Sequence, residues 1–175
     1  NRKYCIEKLK ELFKGAVIVI DEIKLDNIAV HSRIIRDYIK NGDIKMANKL
    51  LGKKYKIYGQ KIKGQGLGAK SFVPTINLKV DEFLLPNEGV YITKTILDEQ
   101  EFNSITFLGH RFTTDGSYAI ETHILDRDIE DKDYKIQIKF CDKIRDNKKF
   151  DSFEELKNQI LDDINLAKNY IINIY

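Results

Sequence analysis

The chain has 175 residues and a mass of 20.4 kDa, enough for one compact domain and a shorter extra segment but not for two full enzyme domains. Its 42% hydrophobic and 33% charged residues argue against a disordered chain. Thirty basic residues against 27 acidic ones leave a net charge of +3, too balanced for a dedicated nucleic-acid binder. Cys5 and Cys141 lie far apart, with no CxxC or Cys/His cluster. That argues against a structural zinc site and a disulfide framework, and suits a reducing compartment, so the expected location is cytoplasmic. The longest apolar run near the start, residues 16–20, is too short for a signal segment or a membrane span. The first residue is Asn1 rather than Met, which reads as a fragment or a processed product.

In chain order, Cys5, Ile6, Leu9, Leu12 and Phe13 recur at helical spacing, and Gly15 stops that helix. The β-branched run AVIVI at 16–20 predicts a short buried strand. Ser32 and Gly42 bracket a helix, and Asp43 and Gly52 bracket a second one. After Gly52 come six short segments rich in Ile, Val, Thr, Tyr and Phe, at 55–63, 76–80, 89–97, 102–108, 118–125 and 134–141. Six such strands predict a closed or nearly closed antiparallel barrel. The chain ends in a long helix, with Asp151 and Glu154 as its expected capping box. Phe153, Leu156, Ile160, Ile164, Ala167 and Ile171 form an apolar stripe expected to pack on the barrel.

Four stretches carry possible chemistry. Gly64, Gly66 and Gly68 alternate ahead of Lys70. Such glycines let successive backbone N–H groups converge on an anion, and a lysine adds a point charge for phosphate. On its own the stretch reads more simply as a hairpin loop. In Val73-Pro74-Thr75-Ile76-Asn77 the Thr75 and Asn77 side chains share one face of an extended segment. Two neutral oxygens there suit a magnesium ion whose remaining ligands are phosphate and water, although a pair of turn residues would look the same. In Glu121-Thr122-His123-Ile124, alternation puts Glu121 and His123 on one side and Thr122 and Ile124 on the core side. Glu121 is then either a solvated strand residue or a general base toward a hydroxyl. Lone His110 and His123 are not read as metal ligands. Arg145, Lys148 and Phe150 precede the last helix and suit a planar ring with a phosphate tail, or simply a helix lead-in.

The order of these motifs decides among the readings. A glycine-rich loop with a lysine, then PTxN, GVY, ETHI and R-x-x-K-x-F-D-S-x-E-x-L, resembles riboflavin kinase over about residues 52–172. In bacteria that kinase is the C-terminal domain of a bifunctional riboflavin kinase/FAD synthetase. Residues 31–36 (HSRIIR) followed by NGDIKMANKLLG resemble the tail of its adenylyltransferase domain.

The resemblance implies a mainly β (α+β) fold, a six-stranded antiparallel Greek-key barrel with a long C-terminal helix, preceded by a small α/β remnant. It implies two domains, 1–51 as the adenylyltransferase remnant with its linker helix and 52–175 as the kinase. The implied reaction transfers the ATP γ-phosphate to the riboflavin 5′-hydroxyl, giving FMN and ADP with Mg2+ or another divalent metal.

By the same resemblance Glu121 is catalytic, and Thr75 and Asn77 hold the metal and phosphates. Gly64, Gly66, Gly68, Lys70, Ile124, Asp126 and Tyr134 fall on the nucleotide side, and Arg145, Lys148 and Phe150 on the flavin side. One departure is Phe72, where many bacterial members carry the last loop glycine. The HxGH motif of the adenylyltransferase is absent, so FAD synthesis is expected of the parent protein and not of this chain. The expected partners are riboflavin, ATP and the missing adenylyltransferase domain, with no nucleic acid and no membrane. The alternatives are a non-catalytic flavin- or nucleotide-binding or docking module, and a barrel binding single-stranded nucleic acid through Lys53, Lys54, Lys56, Lys61 and Lys63 with Tyr55 and Tyr58.

Overall fold

A computed structural model of the chain describes residues 2–64, 73–130 and 132–172. They fall into two compact units, one ending at His31 and the other beginning at Ser32. The first unit holds helix α1 (Arg2–Leu12) and a hairpin of β1 (Lys24–Leu25) and β2 (Ile28–Ala29). Asp26 and Asn27 both take positive φ in its two-residue turn, the backbone that a tight hairpin requires. The strand expected at 16–20 does not form: these residues are irregular, with Ile18 87% and Ile20 84% exposed. β-branched composition favours extended backbone, but a strand needs a ladder partner, and no described residue supplies one.

The second unit opens with α2 (Ser32–Lys40) and α3 (Ile44–Leu51), which precede the expected boundary at Gly52 yet belong with the barrel. The Asp43 side chain accepts from Met46 N–H at 3.0 Å, and Gly52 ends α3 at φ 65°, as the capping residues require. Ile44 and Ala47 are buried, and Asn48 donates to the Phe140 carbonyl while accepting from Tyr55 N–H. These contacts fasten α3 to the strands.

Six strands follow: β3 (Lys56–Ile62), β4 (Ile76–Lys79), β5 (Gly89–Leu97), β6 (Gln100–His110), β7 (Tyr118–Ile124) and β8 (Ile136–Asp146). They close a barrel in the order β3-β4-β7-β6-β5-β8, every neighbouring pair antiparallel. Strands β5, β6 and β7 are sequential hairpins and β8 returns beside β5, which is the Greek-key order.

Period-two alternation sorts the side chains. Ile57, Leu78, Tyr91, Leu108, Ile120, Ile138 and Phe140 fill the interior. Ile92, Ile105 and Cys141 face outward and are covered by Ile164 and Ala167 of α4 (Phe153–Ile172), so the expected stripe does pack on the barrel. The helix cap lies one residue beyond the expected pair. Glu155 N–H donates to Ser152 Oγ at 3.1 Å, and the Glu155 carboxylate reaches back to Asp151 N–H at 3.0 Å.

Candidate active site

Strands β4 and β7 lie side by side with Asn77 opposite Glu121 in the register. Because Ile76, Thr122 and Ile124 point inward, Asn77, Glu121 and His123 point outward, as the alternation requires. They open into a cavity of about 890 Å3, of the size that holds a small-molecule ligand. Thr75 and Gly64 line it on one side. Arg145, Lys148 and Phe150 line it toward α4.

The Glu121 carboxylate is not solvated alone. Arg111, the first residue after β6, donates from Nε to Glu121 Oε1 at 2.7 Å and from an Nη2 hydrogen to Asn77 Oδ1 at 2.8 Å. A guanidinium can only donate, so the Asn77 amide must present its oxygen to Arg111. Its amide nitrogen then lies on the Gly64 side, where a Cβ on Gly64 would overlap it. The third arm of Arg111, Nη1, donates to Ser117 Oγ at 2.8 Å.

His123 sits beside this pair. Burial holds its ring below the ordinary histidine pKa. The neutral ring donates from Nδ1 to the Pro74 carbonyl at 2.8 Å, since a carbonyl can only accept. This contact ties the end of β7 to the Pro74-Thr75 segment.

Elsewhere in the cavity lining, Arg145 lies 5.5 Å and Lys148 4.9 Å from the Phe150 ring centroid. The structure thus brings together the three residues expected on the flavin side. Phe150 itself is largely buried, and its N–H donates to Thr113 Oγ1 at 3.1 Å. Arg145 is anchored from behind by Asp163 of α4, a residue 1% exposed that also accepts from Gln159.

The base of the 111–117 loop is fixed to the segment after β8 through Asn147, which donates to the His110 carbonyl at 2.9 Å. Glu88 accepts from His110 N–H, from Asn147 and from the His110 ring. Burial pushes the Glu88 pKa up, but these hydrogen bonds from Asn147 and His110 outweigh it and hold the group below its ordinary value.

Of the remaining expected residues, Ile124 and Tyr134 line the cavity, and Tyr134 OH donates to the Glu130 carbonyl. Asp126 does not line it. That residue occupies a positive-φ turn after β7 and pairs with Lys168 of α4. Gly66, Gly68, Lys70 and Phe72 lie outside the described residues.

No group of three or more His, Cys, Asp or Glu side chains suited to a metal ion occurs among the described residues. The neutral oxygens of Asn77 and Thr75 are the candidate donors for a divalent cation. Asn77 Oδ1 has one lone pair engaged by Arg111, which leaves the second to ligate, and Thr75, two residues away, lines the same cavity. This donor set fits a magnesium ion that arrives with a nucleotide and takes its other ligands from phosphate and water.

Arg111 and Asp163 belong to none of the four sequence stretches. Asp163 had a signal: a carboxylate three residues after Ile160 and four before Ala167 falls on the apolar stripe, and a buried carboxylate demands a partner. Arg111 had none, because its acceptor on β4 is 34 residues away in the chain.

The riboflavin kinase family model matches residues 51–171. The chain is 36% identical over 148 residues to a bifunctional riboflavin kinase/FMN adenylyltransferase of Haemophilus influenzae, covering 83% of this chain and 48% of that protein. It is 28% identical over 166 residues to a protein of the same description from Bacillus subtilis, covering 92% and 52%. The chain therefore spans about half the length of the curated relatives it matches. A solved structure described as a macrolide-efflux protein from Streptococcus pneumoniae superposes with a TM-score of 0.83 at 30% identity, covering 94% of this chain and 55% of that one. Among the described residues, no helix is long and apolar enough to cross a membrane.

Proposed function

The chain belongs to the riboflavin kinase family, and on that premise we propose that it transfers the γ-phosphate of ATP to the 5′-hydroxyl of riboflavin, giving FMN and ADP. The observation that carries this reading is the pairing of Glu121 with Asn77 across β4 and β7, both facing a cavity that Arg145, Lys148 and Phe150 also line.

Phosphoryl transfer asks mainly for positioning and for neutralisation of charge on the moving group. Arg145 and Lys148 orient the flavin end, so that the ribityl chain runs toward Glu121. The 5′-oxygen attacks the γ-phosphorus in line, the bond to the β-γ bridging oxygen breaks, and ADP departs. Glu121 takes the hydroxyl proton. Thr75 and Asn77 would hold a divalent cation, which when bound offsets phosphate charge. Gly64, which lines the cavity, would offer its backbone N–H to the phosphates.

On this reading residues 1–51 correspond to the end of an adenylyltransferase half. Both relatives carry the two activities in their descriptions.

The test is to incubate the purified chain with riboflavin and Mg-ATP and follow FMN by chromatography. FMN formation by the native protein, together with loss of turnover but not of ligand binding in Glu121→Gln, is the expected result. A protein that retains flavin without turnover would instead be a binding module.

A further inference from the structure

We propose that Arg111 is the positioning residue of the transfer centre: one guanidinium fixes both the Glu121 carboxylate and the Asn77 amide oxygen. The inference rests on the kinase reading of Glu121 and Asn77 given above. Its own basis is the hydrogen bonding of Arg111, none of which the motifs predicted.

Each nitrogen of the planar fork donates. Nε donates to Glu121, Nη2 to Asn77 and Nη1 to Ser117, and these acceptors come from β7, from β4 and from the end of the 111–117 loop. The backbone of Arg111 is equally constrained. Its N–H donates to the Ser117 carbonyl at 2.9 Å, and its carbonyl accepts from Thr114 at 2.9 Å and Gly116 at 3.1 Å. Asp115 accepts from Ser117 N–H and Oγ, so the loop is closed on itself before it presents the guanidinium.

Two consequences follow for the reaction. The first concerns the amide of Asn77, which could turn either way about its last torsion. The guanidinium can accept no hydrogen bond, so it admits only the orientation with the oxygen toward Arg111. That leaves the second lone pair of Oδ1 for an incoming cation. The second concerns Glu121. A free glutamate side chain samples several rotamers, whereas this one is held 2.7 Å from a fixed donor beside Asn77. The base and the cation ligand thereby keep one spacing before substrate arrives, and misplacement by about 1 Å at such a centre costs about 100-fold in rate. A lysine could not replace this, because an ammonium lacks the planar fork that reaches two acceptors at set angles.

The test compares native protein with Arg111→Ala, Arg111→Lys and Glu121→Gln. Expected for Arg111→Ala is a kcat lower by about 100-fold with the KM for riboflavin within about threefold, because Arg111 acts through Glu121 and Asn77 and not on the flavin. Added guanidinium should restore at least about tenfold of the Arg111→Ala rate and none of the Glu121→Gln rate, since only the first variant leaves a guanidinium-shaped gap. Arg111→Lys, the gentler change for folding, should also lose at least about tenfold in kcat.

A readout apart from turnover is ADP affinity by calorimetry with Mg2+ and with chelator. The gain due to the metal should shrink in Arg111→Ala, since Asn77 is no longer aimed. Turnover within about threefold of native in Arg111→Lys, or an Arg111→Ala loss that guanidinium does not restore, overturns the proposal. If Glu121→Gln keeps native turnover, the kinase reading of Glu121 fails and this inference with it. If Glu121→Gln is inactive while Arg111→Ala is not, only the inference fails.

Discussion

Arg145 and Asp163 meet as a forked pair: Arg145 Nε donates at 3.0 Å to both oxygens of a carboxylate that is 1% exposed, and Nη2 reaches one of them at 2.8 Å. The pair joins the end of β8 to α4, so this cavity-lining arginine, proposed to meet the flavin, owes its position to the C-terminal helix.

Removing one partner of a buried pair leaves the other charge uncompensated. Asp163→Ala should therefore destabilise the fold by about 3 kcal/mol. Asp163→Asn keeps shape and one acceptor and should cost less, about 1–2 kcal/mol. Both should weaken riboflavin binding, followed by quenching of flavin fluorescence, because Arg145 is released from its anchor. Urea midpoints check the first part, and a loss below about 1 kcal/mol for Asp163→Ala would show that the pair is dispensable for folding.

Behind Glu121 lies a closed ring of hydroxyls. Thr93 contacts Ser104 and Thr106 at 2.8 Å, Thr95 contacts Ser104 at 2.8 Å and Thr122 at 3.0 Å, and Thr106 donates to Thr122 at 3.0 Å. All of these residues are fully buried. The ring ties β5, β6 and β7 together from inside the barrel, and Thr122 is the chain neighbour of Glu121. Thr106→Val keeps the shape but leaves Thr93 and Thr122 each one partner short, which should cost about 1–3 kcal/mol. Thr106→Ser, which retains the hydroxyl, should cost less. Equal losses in the two variants, measured by denaturant unfolding, would assign the effect to packing rather than to the ring.

Much of this arrangement is visible in period and residue type. The run GVYITKTIL gives β5 at its observed ends, and alternation alone separates Glu121 and His123 from Thr122 and Ile124. Local pattern fails where the deciding partner is distant or missing. Residues 16–20 have strand composition and no ladder. Asp151 and Ser152 are both good capping residues followed by adjacent glutamates, and only geometry selects Ser152 with Glu155. Arg111 is one loop arginine among many basic residues until β4 and β7 close around it. Asp163 was legible in principle, since a carboxylate on an apolar stripe is costly unless paired.

Two glycines should respond in opposite ways. A Cβ on Gly64 would sit 2.9 Å from Asn77 Cγ and collide with the amide nitrogen, whereas around Gly52 nothing lies within 4 Å. Gly64 has no left-handed backbone to strain, so Gly64→Ala should displace Asn77 and lower kcat/KM for ATP by about tenfold with little change in melting temperature. Gly52 has φ +65°, so Gly52→Ala should cost about 1 kcal/mol of stability and leave turnover unchanged. Steady-state kinetics and thermal unfolding of both variants separate steric from conformational effects.

Glu101 gives a pH-dependent prediction away from the cavity. Lys94 of β5 and Lys139 of β8 are register partners, two like charges facing each other across the ladder. Glu101 receives a hydrogen bond from each, at 2.8 Å from Lys139 and 2.9 Å from Lys94, and these bonds pull its pKa down to about 2 from the ordinary 4.5. The folded protein therefore binds this proton less tightly than the unfolded chain. The stabilisation is fully present above pH about 4.5, falls as the pH drops toward about 2, and is absent below that. The carboxylate is 36% exposed, so solvent screening limits the contribution to about 1 kcal/mol at neutral pH. Glu101→Gln should be less stable than the native chain by that amount at neutral pH, and the two should converge near pH 2. Urea unfolding of both proteins at stepped pH checks this. A difference that stays constant down to pH 2 would mean that the hydrogen-bonded shape at position 101, and not its charge, holds the two lysines together.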